Sequence, residues 1–298
     1  MLAARGIATE PALININVAR YTLPHVPVAE FNHVMLYVPE LKLYLDPTSQ
    51  HSSFGTLPWG HYSKPVLHAA AGKSRILRVP SLRADDNVSD IHTIVTIGSA
   101  GRISGTTQEK ARGAMATDLG NQLAGADAQK ATAQLRYFGS PGTGKWTKRS
   151  LDRSAASTEF TAEFKLADEI DLAAGEALMP PAGLHLLARP GAFLLGTHDL
   201  PRAHPFPCYA GRQIETIDVN FPAGLRPTRL PADRTWKISI AEYSSTYTFQ
   251  GDALRVRREF VAHPPSQECT PEQSQELVGF LSNIRRDQRS VVVFDQRL

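Results

Sequence analysis

The segment from Phe31 to Pro47 constrains the fold most, because it has the pattern of two alternating strands joined by a short turn. Pro39 cannot adopt the positive φ of a two-residue hairpin turn, so it suits the second position of a type I turn over residues 38–41. That turn sets Tyr37 opposite Lys42. The resulting hairpin has a predicted core face of six aliphatic side chains: Val34, Leu36, Val38, Leu41, Leu43 and Leu45.

The other face of this hairpin brings a histidine and a carboxylate together. In the predicted register His33 lies directly across from Asp46, at a Cβ separation of about 4.5–5.5 Å. A carboxylate there would hold one ring N–H and leave the other ring nitrogen to activate a nucleophile. Spacing alone favours a structural His–Asp pair on a half-exposed sheet, so the catalytic interpretation needs further support.

The rest of the pattern predicts an α+β protein with a mainly β second part. Residues 1–72 contain the strands and a long irregular segment at 48–65. We expect residues 75–298 to form a β-sandwich of the jelly-roll type with accessory helices near 108–137 and 270–286. Gln250-Gly251-Asp252 marks a hairpin within this part.

The last helix has the best-defined beginning. Thr270 can cap it, Pro271 suits its first turn, and Gln273 completes a capping box. An apolar stripe follows at helical spacing and predicts packing against a sheet: Leu277, Phe280, Leu281 and Ile284.

Composition excludes several classes of protein. The chain has 298 residues, of which 42% are hydrophobic, so a sizeable core is expected. Its 32 basic and 29 acidic residues leave a net charge of +3, too balanced to predict binding to nucleic acid or to an acidic membrane surface. No apolar run reaches the roughly 18 residues of a membrane span. The first ten residues lack the pattern of a signal peptide.

The two cysteines, Cys208 and Cys269, form no CxxC pair. A structural zinc site or a disulfide scaffold is therefore not predicted. A single bridge between the two stays open at this point. Otherwise we expect one half-buried and one surface thiol.

Other patterns resemble functional sites but lack a necessary residue. His51, His61 and His68 cluster near Trp59 without a carboxylate at ligand spacing, so we expect no metal site. Residues 139–145 match GxxxxGK, but the following residue is not the Ser or Thr that a P-loop needs, so no nucleotide cofactor is expected. Three further aromatic residues fit a core or sheet face better than a sugar-stacking platform: Trp236, Tyr243 and Tyr247.

Two short motifs resemble those of a known enzyme family. Asn32-His33-Val34 and Leu45-Asp46-Pro47-Thr48 resemble the His and Asp motifs of the transglutaminase-like superfamily. The closer resemblance is to its bacterial branch, in which two β-rich domains of unknown function flank the core. The segments 2–7, 11–14, 54–58 and 64–67 also resemble the family. The resemblance is specific over residues 1 to 80 and looser beyond them.

The resemblance implies a partial papain-like core in residues 1–72, with His33 as general base and Asp46 as its orienter. In this family a cysteine at a helix N-terminus attacks a carboxamide or peptide carbonyl, and an amine or water then takes the acyl group. That cysteine precedes the histidine, and residues 1–5 resemble the end of its helix. We therefore expect the C-terminal part of a cysteine acyltransferase or hydrolase, inactive by itself. We assign Asn32, Tyr44 and Trp59 to substrate binding.

The resemblance also implies a protein or peptide substrate, no cofactor, and an exported or membrane-attached parent of periplasmic location. A missing cysteine helix would expose an apolar patch able to drive homodimerisation. The competing interpretation is a non-catalytic binding or scaffolding module of the cell envelope, in which the β-rich part recognises a glycan or a peptide.

Overall fold

The computed structural model describes residues 2–17, 31–69, 72, 74–152, 155–172, 175, 177–192 and 200–294. They form an α+β fold in which strands predominate. The α-helices are α1 (Ala114–Ala124), α2 (Ala128–Tyr137) and α3 (Pro271–Gln288). Short 3-10 helices lie at Ala3–Arg5, Pro39–Leu41, Trp59–His61 and Ala84–Asp86.

A small antiparallel sheet contains the first five strands in the order β3-β2-β1-β4-β5. It extends to Arg78, a few residues beyond the segment that sequence assigns to the first part of the chain. The sequence also alternates like a strand from Leu13 to Val18, and Val18 lies outside the described residues. The strands are β1 (Glu10–Ile14), β2 (His33–Val38), β3 (Leu43–Leu45), β4 (Pro65–His68) and β5 (Arg75–Arg78).

The register of the β2–β3 hairpin differs from the prediction by two residues. Its loop consists of residues 39–42 and ends in a left-handed Lys42, with φ of 51°. Tyr37 therefore pairs with Tyr44 and not with Lys42. His33 and Asp46 are consequently diagonal neighbours. A shift of two residues leaves every side chain on its predicted side of the hairpin.

The buried face of this hairpin is mainly the face of His33; of the six residues on the predicted aliphatic core face, Val38 alone is buried. Met35 is 0% exposed and Tyr44 is 5% exposed, whereas Val34 and Leu41 are 48% and 59% exposed. The irregular segment that follows β3 returns over the His33 face, where Leu57 packs against the buried side chains. The alternation of side chains along a strand separates the two faces of a hairpin, but it does not show which face a later segment of the chain will cover.

A second, eight-stranded sheet forms most of the protein, in the order β13-β14-β15-β12-β6-β7-β9-β8. Neighbours are antiparallel except β6 and β12, which are parallel. Its strands are β6 (Val88–Ile97), β7 (Arg102–Arg112), β8 (Gly142–Asp152), β9 (Ser157–Glu169), β12 (Gly211–Asn220), β13 (Arg234–Ile238), β14 (Ala241–Gln250) and β15 (Ala253–Ala262).

This sheet does not pack on a second large sheet among the described residues, so the predicted two-sheet sandwich is wrong. All three helices and one face of the sheet share a single apolar core. Helices therefore provide the cover that a second sheet would give in a sandwich. The remaining strands form two-residue ribbons: β10 (Ala177–Leu178) pairs with β17 (Val292–Val293), and β11 (Phe206–Pro207) pairs with β16 (Glu268–Cys269).

The helix predictions are confirmed at α3 and shifted at α1. The capping box of Thr270 and Gln273 is present, and the apolar stripe of α3 is buried in the core. The helical region predicted from residue 108 begins only at Ala114, because residues 108–112 continue β7. None of the helices in the described ranges is long and apolar enough to cross a bilayer.

The small sheet is joined to α1 by the irregular segment after β3. Trp59 donates its indole N–H to Oδ2 of Asp118 at 2.5 Å, and the hydroxyls of Ser52 and Thr117 lie 3.2 Å apart. Gly120 faces His51, and a Cβ at this glycine would come within 2.8 Å of the Cβ of that histidine. These contacts fix the position of the segment that ends at residue 61.

Cys208 and Cys269 are joined by a disulfide, with their Cα atoms 5.8 Å apart. Both are 0% exposed. The expectation of one half-buried and one surface thiol is therefore wrong, and the bridge that sequence left open is present. It links the β11–β16 ribbon directly before α3.

Candidate active site around His33, Asp46 and His61

His33 begins β2 and Asp46 follows β3, so the hairpin places both at one end of the small sheet. Nε2 of His33 lies 3.1 Å from Oδ2 of Asp46. The histidine side chain is 15% exposed, while that of the aspartate is only 3% exposed. A carboxylate can only accept, so Nε2 carries the proton in this contact. Nδ1 of His33 has no hydrogen bond within the described part of the chain.

Asp46 is held in place by the residue two positions after it. Its Oδ1 accepts from the backbone N–H of Thr48 at 2.9 Å and from the hydroxyl of Thr48 at 2.7 Å. Oδ2 is thereby aimed at the imidazole. Burial by itself would raise the pKa of Asp46, but nearby His61 and the two Thr48 bonds outweigh it and hold the pKa below its ordinary value.

His61 is a third member of the site that the sequence analysis did not assign to it. This 3%-exposed histidine ends the Trp59–His61 turn and brings Nε2 to 3.1 Å from Oδ2 of Asp46. Its Nδ1 lies 3.1 Å from the carbonyl oxygen of Pro58. The rings of His33 and His61 are nearly perpendicular, with centroids 5.2 Å apart. Sequence missed this because it sought a carboxylate near the His51–His68 segment, whereas the carboxylate is that of Asp46, directly after β3.

The three residues assigned to substrate binding occupy different positions. Asn32 is exposed beside His33, where its side chain accepts from the backbone N–H of Ile16 and donates to Asn15. Tyr44 is buried, and its hydroxyl lies 2.9 Å from Nε2 of His68. Burial raises the pKa of Tyr44 to about 12. Trp59 is 9% exposed and faces α1. Of the three, Asn32 alone is exposed, and it lies next to His33 in the chain.

A second polar cluster, on the same face, connects strands of the small sheet. His68 is fully buried between Tyr44 and Glu10, and its Nδ1 lies 2.9 Å from Oε2 of Glu10. Arg75 donates to the same carboxylate at 2.7 Å. Both ring nitrogens of His68 have protein partners. This cluster connects β1, β3, β4 and β5, and we interpret it as structural.

The remaining sequence patterns lie in ordinary structural positions. The GxxxxGK segment leads from α2 into β8, whereas a P-loop connects a strand to a helix. Tyr243 and Tyr247 are buried, and their hydroxyls donate to Asp287. Trp236 stacks on Tyr243 at 5.7 Å. These aromatics therefore pack in and beside the core of the eight-stranded sheet.

Comparison with known proteins gives one distant structural similarity. No protein-family model and no curated protein matches the chain. A crystal structure of a candidate protease from Parabacteroides distasonis ATCC 8503 aligns with 98% of this chain at 12% sequence identity and a TM-score of 0.49. The aligned region is 41% of that protein, so the chain spans less than half of its length. A similarity this distant carries no inference about the site or the activity.

Proposed function

We propose that His33 and Asp46 are the general base and its orienter in a thiol-dependent acyl-transfer centre of the transglutaminase-like type. The observation that supports this most is the 3.1 Å contact from Nε2 of His33 to the carboxylate. The contact fixes one tautomer, in which Nδ1 carries a lone pair. Partial exposure of the ring leaves that nitrogen accessible to a nucleophile and a substrate.

In this reaction Nδ1 of His33 accepts the proton of a thiol, and the thiolate attacks a carboxamide or peptide carbonyl. The tetrahedral intermediate collapses when the leaving amine takes that proton from Nδ1. Asp46 stays ionised and stabilises the imidazolium between the two steps. An amine or water then attacks the thioester with His33 again as the base, which releases an amide or an acid and regenerates the thiol.

The thiol must come from outside this chain. The chain has two cysteines, and both are buried and consumed in one disulfide. Residues 1–298 alone are therefore expected to show no thiol-dependent turnover. A buried disulfide persists in an oxidising compartment, which supports a location outside the cytoplasm.

The test uses the whole reading frame that contains these residues. Two rates are measured: alkylation of its thiols by iodoacetamide near pH 6, and ammonia release or amine incorporation with a glutamine peptide. We expect one reactive thiol whose alkylation slows in His33→Gln, and turnover that falls by about 100-fold or more in His33→Gln and Asp46→Asn.

The matched control is a second histidine–aspartate pair on the eight-stranded sheet. Nε2 of His92 lies 2.8 Å from Oδ2 of Asp218 on a more exposed surface. His92→Gln and Asp218→Asn should leave both rates unchanged. A reading frame without any thiol whose reactivity depends on His33 would overturn the proposal, and so would thiol-dependent turnover by residues 1–298 alone.

A further inference from the structure

Two imidazoles point at one carboxylate oxygen in this site. Nε2 of His33 and Nε2 of His61 each lie 3.1 Å from Oδ2 of Asp46. The three ligand atoms lie within 4.8 Å of one another. The proposed base mechanism uses His33 and Asp46 but gives no role to His61.

The hydrogen bonding of His61 indicates that a cation is needed between its Nε2 and Oδ2 of Asp46. A backbone carbonyl can only accept, so Nδ1 of His61 donates to Pro58. Neutral His61 then presents a lone pair from Nε2 to Oδ2 of Asp46, and two acceptors face each other at 3.1 Å. Nε2 is buried and has no hydrogen-bond partner among the described residues. A cation between the two atoms, either a second ring proton on His61 or a metal ion, turns this repulsion into attraction.

The spacing fits a metal ion as that cation. Ligand atoms about 2.1 Å from a tetrahedral zinc ion lie about 3.4 Å apart, and two imidazoles on one zinc have centroids about 5 Å apart. The observed values are 3.1 Å from each nitrogen to the oxygen and 5.2 Å between the ring centroids.

The surroundings also match those of metal ligands. Histidine ligands usually donate their second N–H to a backbone carbonyl or carboxylate, and ligating carboxylates are themselves hydrogen-bonded. Pro58 accepts from His61 in this way, and Thr48 holds the other oxygen of Asp46. His33 is 15% exposed, so water can reach the fourth position.

We infer that His33, Asp46 and His61 bind a divalent transition-metal ion, with zinc the best match to two imidazoles and one carboxylate. The inference goes beyond the acyl-transfer proposal and does not depend on it. A metal on Nε2 of His33 moves the ring proton to Nδ1, the atom that would accept the thiol proton. Bound zinc and base catalysis therefore exclude each other, and zinc inhibits any acyl transfer at this centre.

The experiment uses residues 1–298 after dialysis against a chelator. Co²⁺ is titrated while visible absorption is recorded, and Zn²⁺ binding is then measured by calorimetry. We expect one cobalt ion per chain with the intense absorption of a four-coordinate site, and displacement of that cobalt by zinc. In His61→Gln the affinity should fall by more than about 10-fold, since even outer-shell partners contribute that much.

Two further variants keep the test decisive. His33→Gln changes a partly exposed ligand, so a loss of binding there cannot be attributed to a disrupted core; melting curves are recorded for both ligand variants. His92→Gln removes a histidine from the other His–Asp pair and should bind like the wild type. Absence of a four-coordinate cobalt spectrum, or equal affinity in wild type and His61→Gln, would overturn the inference. Because no thiol takes part, either result leaves the acyl-transfer proposal to its own test.

Discussion

The indole N–H of Trp59 donates to Oδ2 of Asp118 at 2.5 Å and ties the turn that carries His61 to helix α1. Burial raises the pKa of Asp118 to about 6, although the bond from Trp59 opposes the shift. An unfolded aspartate titrates near pH 3.9. The carboxyl therefore binds its proton more tightly in the folded chain than in the unfolded one.

This difference predicts a specific pH dependence of stability. The contribution of Asp118 is most favourable below about pH 4 and declines as the pH rises to 6, because the folded state then loses a proton that it holds more tightly. Asp118→Asn keeps an acceptor for Trp59 without the charge. At pH 8 we expect the free energy of unfolding of the variant to be about 1–2 kcal/mol higher than that of wild type. At pH 4 the two should differ little. Urea unfolding at pH 4, 6 and 8 measures this; a difference that is the same at all three would contradict it.

The disulfide should stabilise the fold substantially. It closes a loop with a sequence separation of 61 residues, for which chain entropy gives about 4 kcal/mol. Cys208→Ala with Cys269→Ala should lower the free energy of unfolding by about 2–4 kcal/mol, measured by urea denaturation. A reductant should shift the wild-type midpoint and leave that of the double variant unchanged. A wild-type midpoint insensitive to full reduction would refute this.

The buried ion pairs of the eight-stranded sheet predict a strong effect at Arg258. This fully buried side chain donates to Glu215 at 2.7 Å and to Asp287 at 3.2 Å. Burial alone would raise the pKa of Glu215, but Arg189 and Arg258 hold it below its ordinary value. Arg258→Ala leaves Glu215 with Arg189 alone and removes the ion pair of buried Asp287, so the free energy of unfolding should fall by about 3–5 kcal/mol.

Arg255 offers the matched control for that substitution. It lies on the same strand, bonds to Asp218 and is 63% exposed. Exposed ion pairs contribute about 0–1 kcal/mol, so Arg255→Ala should change stability little. The unfolding free energies of the two variants, measured side by side, test whether burial of the arginine determines the loss of stability. Equal losses in the two variants would show that it does not.

Local signals predicted the parts of the structure that depend on nearby residues. The capping box and apolar stripe of α3 follow from spacing along one helix, and both were found as expected. His33 and Asp46 share a face although the predicted register was two residues off, because side chains on a strand alternate with a period of two. A register error of one residue would have placed the two side chains on opposite faces of the hairpin.

Long-range arrangements could not be read from the sequence. The buried face of the small sheet depends on where the segment after β3 returns, and nothing in the sequence indicated that Val34 and Leu41 would be exposed. The approach of His61 to Asp46 depends on the same segment and its anchoring to α1. Likewise, helices rather than a second sheet cover the large sheet, because core formation requires only an apolar surface of suitable shape.

The role of His33 as a base oriented by Asp46 is tested most directly by the position of its ring proton. Nitrogen-15 NMR on residues 1–298, in chelator and at a pH where the ring is neutral, observes that position. We expect a proton on Nε2, held by Asp46, and a lone pair on Nδ1; Asp46→Asn should weaken this preference. A proton on Nδ1, or an equal mixture of tautomers in the wild type, would contradict the assignment of His33 as a base oriented by Asp46.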